Sequence, residues 1–189
     1  MSSLSRIGLY GGTFDPIHNG HLHVIAQLLK RHLVDELILI PAGEPRLRAT
    51  APLASAEDRL AMARLAIKDL PAQIQSRVTV SDMEVQRRGP TYTIETVEEL
   101  QVIQKDATLV LILGSDAYAT LPQWHRSAEL QDLVEVLVIA RDGEGLDVEA
   151  LPISATKLRR SLQARADEQS ELPESVWAYI KENNLYASK

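Results

Sequence analysis

Two kinds of apolar pattern alternate along the chain. Residues 6–10, 36–40, 78–80, 108–113 and 134–140 are short runs with little polar interruption. The run TLVLIL at 108–113 is the clearest, and continuous apolar character is what a central parallel strand, buried on both faces, requires. Between these runs the apolar residues fall at helical spacing. Leu22, Ile25, Ala26 and Leu29 form one stripe within a predicted helix over 19–31. A second helix is predicted over 56–70, with Ser55 as N-cap, Glu57 and Asp58 in its first turn, and Pro71 as its stop. Residues 91–104 read as a helix with a weaker stripe, 154–163 as a helix with a Ser/Thr start, and Pro173 opens a last helix through Asn183. Gly43, Pro45 and Pro52 make residues 43–55 a loop. Residues 141–151 are the one stretch whose composition suggests disorder.

Strand–helix alternation implies a parallel sheet with helices on both faces. The expected fold is α/β, doubly wound, in a single domain over residues 1–189, with a C-terminal helical part (about 154–189) packed on the same domain. Ligands of such sheets bind beyond the carboxyl ends of the strands. That rule selects residues 11–21, 41–48 and 114–124, which follow strands, and 153–159, which opens a helix.

Composition narrows the chemistry. The 189 residues are 45% hydrophobic and 24% charged, with a net charge of −6 and no long run of one sign. No basic surface of the kind needed for nucleic-acid binding is evident, so none is expected. The absence of cysteine removes disulfides, thiolate nucleophiles and Cys-type zinc sites. No apolar run approaches the roughly 20 residues that cross a bilayer, and MSSLSRIGLYGG lacks the core of a secretion signal. The expectation is a cytoplasmic protein without membrane contact.

The first candidate site is GGTFDPIHNGH, residues 11–21. Gly11 and Gly12 would let the backbone turn sharply and approach a ligand. The following helix start offers free N–H groups and a positive dipole end, which suit an anion. His18 and His21, at i and i+3, share a face, and Gly20 removes a side chain beside it. Two imidazoles can donate to phosphate oxygens, most effectively where charge grows in the transition state. Two histidines are too few for zinc, and no metal-binding site is expected in the protein. His23, His32 and His125 read as structural or surface residues. The second candidate is ISATKLR. Ser154 and Thr156 suit an N-cap, whereas Lys157, Arg159 and Arg160 place cations where the helix dipole repels them, which is favourable only with an anion present. Arg159 can grip phosphate bidentately.

Together GGTFDPIHNGH and ISATKLR resemble the HxGH nucleotidyltransferase superfamily, whose sheet is Rossmann-like. GPTYTIETVEEL, GSDAYATLPQW and LPESVWAYIKENNLY occur in the matching order, so the resemblance covers nearly the whole chain and narrows to bacterial nicotinate-nucleotide adenylyltransferases. It implies transfer of AMP from ATP to nicotinate mononucleotide in NAD biosynthesis, giving deamido-NAD and pyrophosphate, with Mg²⁺ bound to ATP. His18, His21 and Arg159 would be catalytic. Gly11, Gly12, Thr13 and Phe14 would offer backbone contacts to ATP, and Ser154, Thr156 and Arg159 would hold its β- and γ-phosphates. Gly114 and Asp116 would meet the adenosine. Thr93, Trp124 and Arg48 would meet the pyridine nucleotide, with Trp124 stacked on its ring.

Two departures accompany the resemblance. The family's PPHK-like segment reads Pro45-Arg46-Leu47-Arg48 here, so its histidine is replaced by Leu47. The insert before ISATKLR is also short, at residues 141–152, which leaves association into a homo-oligomer open. A phosphopantetheine adenylyltransferase and a non-catalytic nucleotide-binding regulator remain the alternative readings, since fold alone does not fix function.

Overall fold

The computed structural model describes residues 4–45, 50–140, 145–164 and 169–187. Five strands form one all-parallel sheet: β1 (Ser5–Gly12), β2 (Glu36–Pro41), β3 (Val78–Val80), β4 (Ala107–Gly114) and β5 (Glu135–Ile139), in the order β3-β2-β1-β4-β5. The helices are α1 (Asn19–Lys30), α2 (Ala56–Lys68), α3 (Ala72–Gln75), α4 (Met83–Gln86), α5 (Thr93–Ile103), α6 (Ser115–Thr120), α7 (Ser127–Leu133), α8 (Ala155–Gln163) and α9 (Glu174–Glu182).

Strand residues divide between the two faces with the period of two that the pleat imposes. Leu37, Leu39, Tyr10, Val110 and Ile112 join the core made with α1, α2, α8 and α9. Ile38, Ile40, Ile7, Leu9, Leu109, Leu111 and Leu113 join a second core with Ile94, Val97 and Leu100 of α5 and Leu130 of α7. Burial on both faces explains the unbroken apolar runs.

The expected doubly wound single domain is observed. The structure changes several local readings. Gly11 and Gly12 do not make the turn. Both belong to β1, paired with Ile40 and Pro41 of β2, and neither has a positive φ. Pairing keeps them extended, and the chain turns at Phe14, whose φ is 50°. The stretch suspected of disorder is fixed at its described end. Leu146 N–H donates to the Val138 carbonyl at 2.7 Å and Ala140 N–H to the Leu146 carbonyl at 3.0 Å, while Val148 is fully buried. The short helices α3, α4, α6 and α7 lie where no apolar periodicity was long enough to reveal them. Among the described residues, no helix is long and apolar enough to cross a membrane.

Strand order 3-2-1-4-5 reverses between β1 and β4. The carboxyl ends of these strands, at Gly12 and Gly114, therefore flank the crevice where such sheets bind ligands.

Candidate active site

A cleft of about 1010 Å³ opens at that crevice. Gly11, Gly12, Thr13, Phe14, His18 and His21 line one part of it, Ser154 and Thr156 another, and Gly114, Asp116, Thr93 and Trp124 the rest. Arg159 does not line it, and Arg48, with Arg46 and Leu47, lies outside the described residues.

The loop after β1 is shaped by close packing. A Cβ on Gly12 would stand 2.8 Å from the Phe14 ring, so only glycine lets that ring fold back. Phe14 meets His21 edge-on, with centroids 5.1 Å apart, and Tyr10 meets Phe14 at 5.8 Å. His18 is the N-cap of α1, and its backbone N–H donates to His21 Nδ1 at 3.1 Å. A neutral His21 therefore carries its proton on Nε2, as a donor. The two imidazoles stack at 3.7 Å. Gly20 makes room for this pair, since a Cβ there would lie 3.0 Å from His18 Nδ1 and 3.5 Å from Ile153 Cβ. The last distance also brings the α1 start against the segment that opens α8.

Both helix starts suit an anion. Neither α1 nor α8 has an acidic residue in its first turn, whereas α2 has two and α5 and α9 have one each. Ser154 is the N-cap of α8 and makes no side-chain cap bond, so its hydroxyl is not spent on the helix. Two helix N-termini facing one cleft add their positive potentials. The Arg159 guanidinium is turned aside, donating to the Asp15 carbonyl at 2.6 Å and to Thr156 Oγ1 at 3.3 Å. These two bonds leave its other N–H groups uncommitted to Asp15 and Thr156.

Two residues that the sequence reading did not single out hold this framework. Asp15 is 2% exposed. Its carboxylate accepts from Leu53 N–H at 2.9 Å, Ala54 N–H at 3.1 Å and Tyr186 O–H at 2.8 Å. Arg59 is 1% exposed and donates to the carbonyls of Thr13, Ala42 and Gly43. It ties the loop after β1 to the loop after β2. Its signal was present in the sequence: Arg59 stands on the same face of α2 as the buried Met62, Ala63 and Ala66.

At the other end of the cleft, Asp116 lies in the first turn of α6, after its N-cap Gly114, and is exposed. Trp124 is half-buried, with Nε1 donating to Thr120 Oγ1 at 3.2 Å. Thr91 and Tyr92 precede α5 and line the cleft beside Thr93. His125, read as structural or surface, is exposed but also lines the cleft, its ring 4.4 Å from that of Tyr92. Helical spacing could not show this, because His125 sits on a loop. His23 keeps the structural role expected of it, with Nε2 2.9 Å from the Val148 carbonyl. Glu84 is a buried carboxyl in the wall, accepting from Thr96 Oγ1 at 2.9 Å. Burial raises its pKa above the ordinary 4.5, against the hydrogen bonds from Thr96 and Thr91, which lower it.

Known proteins resemble this chain in sequence and in fold. Residues 9–161 match the cytidylyltransferase-like family. The chain is 37% identical to a protein of Synechococcus sp. (strain JA-3-3Ab), covering 96% of this chain and 94% of that one. It is 34% identical to a protein of Hahella chejuensis, covering 100% and 99%. Both carry the name "Probable nicotinate-nucleotide adenylyltransferase". The fold also matches the nicotinic acid mononucleotide adenylyltransferase of Plasmodium falciparum complexed with NaAD, with a TM-score of 0.81 at 20% identity over 96% of this chain and 97% of that one. With these matches spanning both helix starts and the strand ends between them, the chain belongs to the cytidylyltransferase-like family, among its nicotinate-nucleotide adenylyltransferases.

Proposed function

We propose that the protein joins ATP and nicotinate mononucleotide into deamido-NAD. The 5′-phosphate oxygen of the mononucleotide attacks the α-phosphorus of ATP in line, the bond to the bridging oxygen breaks, and pyrophosphate leaves. The attacking oxygen is already anionic at neutral pH, so neither a general base nor a protein nucleophile is needed. Catalysis is positioning plus charge stabilisation.

The observation that carries this reading is the convergence of two acid-free helix starts, α1 and α8, on one cleft, with His18 and His21 at the start of α1 and Tyr92, Trp124 and His125 also in the lining. In this reading His18 and His21 donate to the phosphates of ATP, and Gly11, Gly12, Thr13 and Phe14 supply backbone along them. Ser154, Thr156 and Arg159 take the β- and γ-phosphates. Gly114 and Asp116 meet the adenosine. Thr93 and Trp124 receive the pyridine nucleotide, with Arg48 as a further cation. Among the described residues no group of three His, Asp or Glu side chains is arranged to hold a metal ion. Mg²⁺ would arrive on the polyphosphate of ATP and offset charge on the departing pyrophosphate.

Pyrophosphate release tests the reading. Purified protein with ATP and nicotinate mononucleotide should turn over faster than with the nicotinamide form. Faster turnover of the amide overturns the substrate assignment, and ATP binding without pyrophosphate release favours a regulator. His18→Ala should lower kcat by about 10²–10³-fold, the usual weight of one donor to developing charge. A change confined to KM would refute the catalytic role.

A further inference from the structure

The C-terminal tail reaches the phosphate end of the cleft through one carboxylate. Tyr186 lies 171 positions from Asp15, yet its hydroxyl donates to Asp15 Oδ1 at 2.8 Å. Both residues are buried, at 7% and 2% exposure. The tail bends to make this contact. Asn184, at φ 50°, ends α9 with the Leu185 N–H bonded back to the Ile180 carbonyl at 3.0 Å, an ordinary left-handed cap. Tyr186 is also left-handed, at φ 63°, and there no cap requires it. A non-glycine residue is held in that region only where its surroundings compel it.

The Asp15 carboxylate also faces Arg159, whose Nη1 is 3.8 Å from Oδ2 and donates to the Asp15 carbonyl. A carboxylate offers about four acceptor sites. Leu53 N–H, Ala54 N–H and Tyr186 O–H occupy three. Burial and the Asp15 charge raise the Tyr186 phenol above its ordinary 10.0, so it remains a donor throughout the neutral range. Without that donor Oδ1 would keep only the Ala54 N–H, and the buried carboxylate, with two donors in place of three, would draw the Arg159 guanidinium 3.8 Å from Oδ2 more strongly. The guanidinium would close onto Asp15 and away from the cleft.

We propose that Tyr186 is a positioning residue for nucleotide binding: by occupying Asp15 it leaves Arg159 available to the ATP phosphates, so ATP affinity depends on the docked C-terminal tail. The proposal rests on the reading of Arg159 as a phosphate ligand, and the experiment separates the two. Tyr186→Phe keeps the ring and removes only the hydroxyl. The KM for ATP should rise about 3- to 10-fold, the upper figure being one net hydrogen bond of about 1.4 kcal/mol. The KM for the mononucleotide should stay within about twofold. A role in folding alone would lower Tm and leave the ratio of the two KM values unchanged, which overturns the proposal. Arg159→Ala and the double variant Arg159→Ala/Tyr186→Phe should bind ATP equally in calorimetry, because one acts through the other, whereas additive losses would overturn the coupling. If Arg159→Ala alone binds ATP like wild type, the phosphate reading fails instead. Hydrogen exchange on the wild-type protein gives an arm without variants. ATP should protect the amides of Leu53 and Ala54 and those of residues 184–187, and unchanged exchange there would count against the proposal.

Discussion

Gly20→Ala separates the geometry of the two histidines from the stability of the fold. The added Cβ would lie 3.0 Å from His18 Nδ1 and 3.1 Å from Cε1, where ordinary contact begins at 3.4 Å. His18 must therefore give by a few tenths of an ångström. It has little room, because it is 4% exposed and its ring already stacks on His21 at 3.7 Å. A shift of 1 Å at a reacting centre can cost about 10²-fold in rate. A smaller shift of one donor should cost between about 10- and 100-fold in kcat, or roughly 1.4–2.7 kcal/mol of barrier. Stability should respond oppositely, since replacing a helical glycine by alanine relieves about 0.5–1 kcal/mol of backbone entropy cost, which offsets the crowding. The Tm should then stay within about 3 °C of wild type, a change of about 1 kcal/mol at this chain length. The assay is steady-state pyrophosphate release with saturating ATP and nicotinate mononucleotide, paired with a melting curve. A kcat within twofold of wild type would refute the claim that His18 must keep this position. A large fall in Tm would show that Gly20 serves packing instead.

Two further outcomes follow from buried charges. Arg59→Ala leaves the carbonyls of Thr13, Ala42 and Gly43 without the guanidinium that bridges them, and should destabilise the protein by about 3–5 kcal/mol in urea unfolding; a loss under about 1 kcal/mol would mean that water replaces it freely. Glu84 has a folded pKa raised above 4.5 by burial, so the native state keeps its proton to higher pH than the unfolded chain. Its ionisation therefore costs stability as pH rises above that value and costs nothing below it. Wild type should lose Tm relative to Glu84→Gln between pH 4.5 and neutrality, and a Tm difference that stays flat with pH would contradict the assignment.

The sheet was legible because strands buried on both faces must be apolar at every position. Runs such as residues 108–113 could be little else, and α1 and α2 announced themselves by spacing and caps. The short helices α3, α4, α6 and α7 were not legible, since four to seven residues span too few turns to set up a period. The glycines at 11 and 12 were misread for a related reason. Glycine permits a turn, but only the neighbouring strand decides whether pairing keeps it extended. That decision moved the turn to Phe14.

The candidate site divides along the same line. His18, Gly20 and His21 are close in sequence, so helical geometry alone puts them on one face. By itself the sequence determined the strand–helix alternation, this histidine pair, and the helix start at Ser154 with its cations. Only the tertiary structure decided that the two helix starts share one cleft. It alone placed Arg59 beneath both loops, His125 beside Tyr92, and Tyr186 on Asp15. Local spacing is set by the bonds of the backbone. Contacts between residues tens to more than a hundred positions apart depend on how whole elements pack, and one stretch of sequence does not encode that packing.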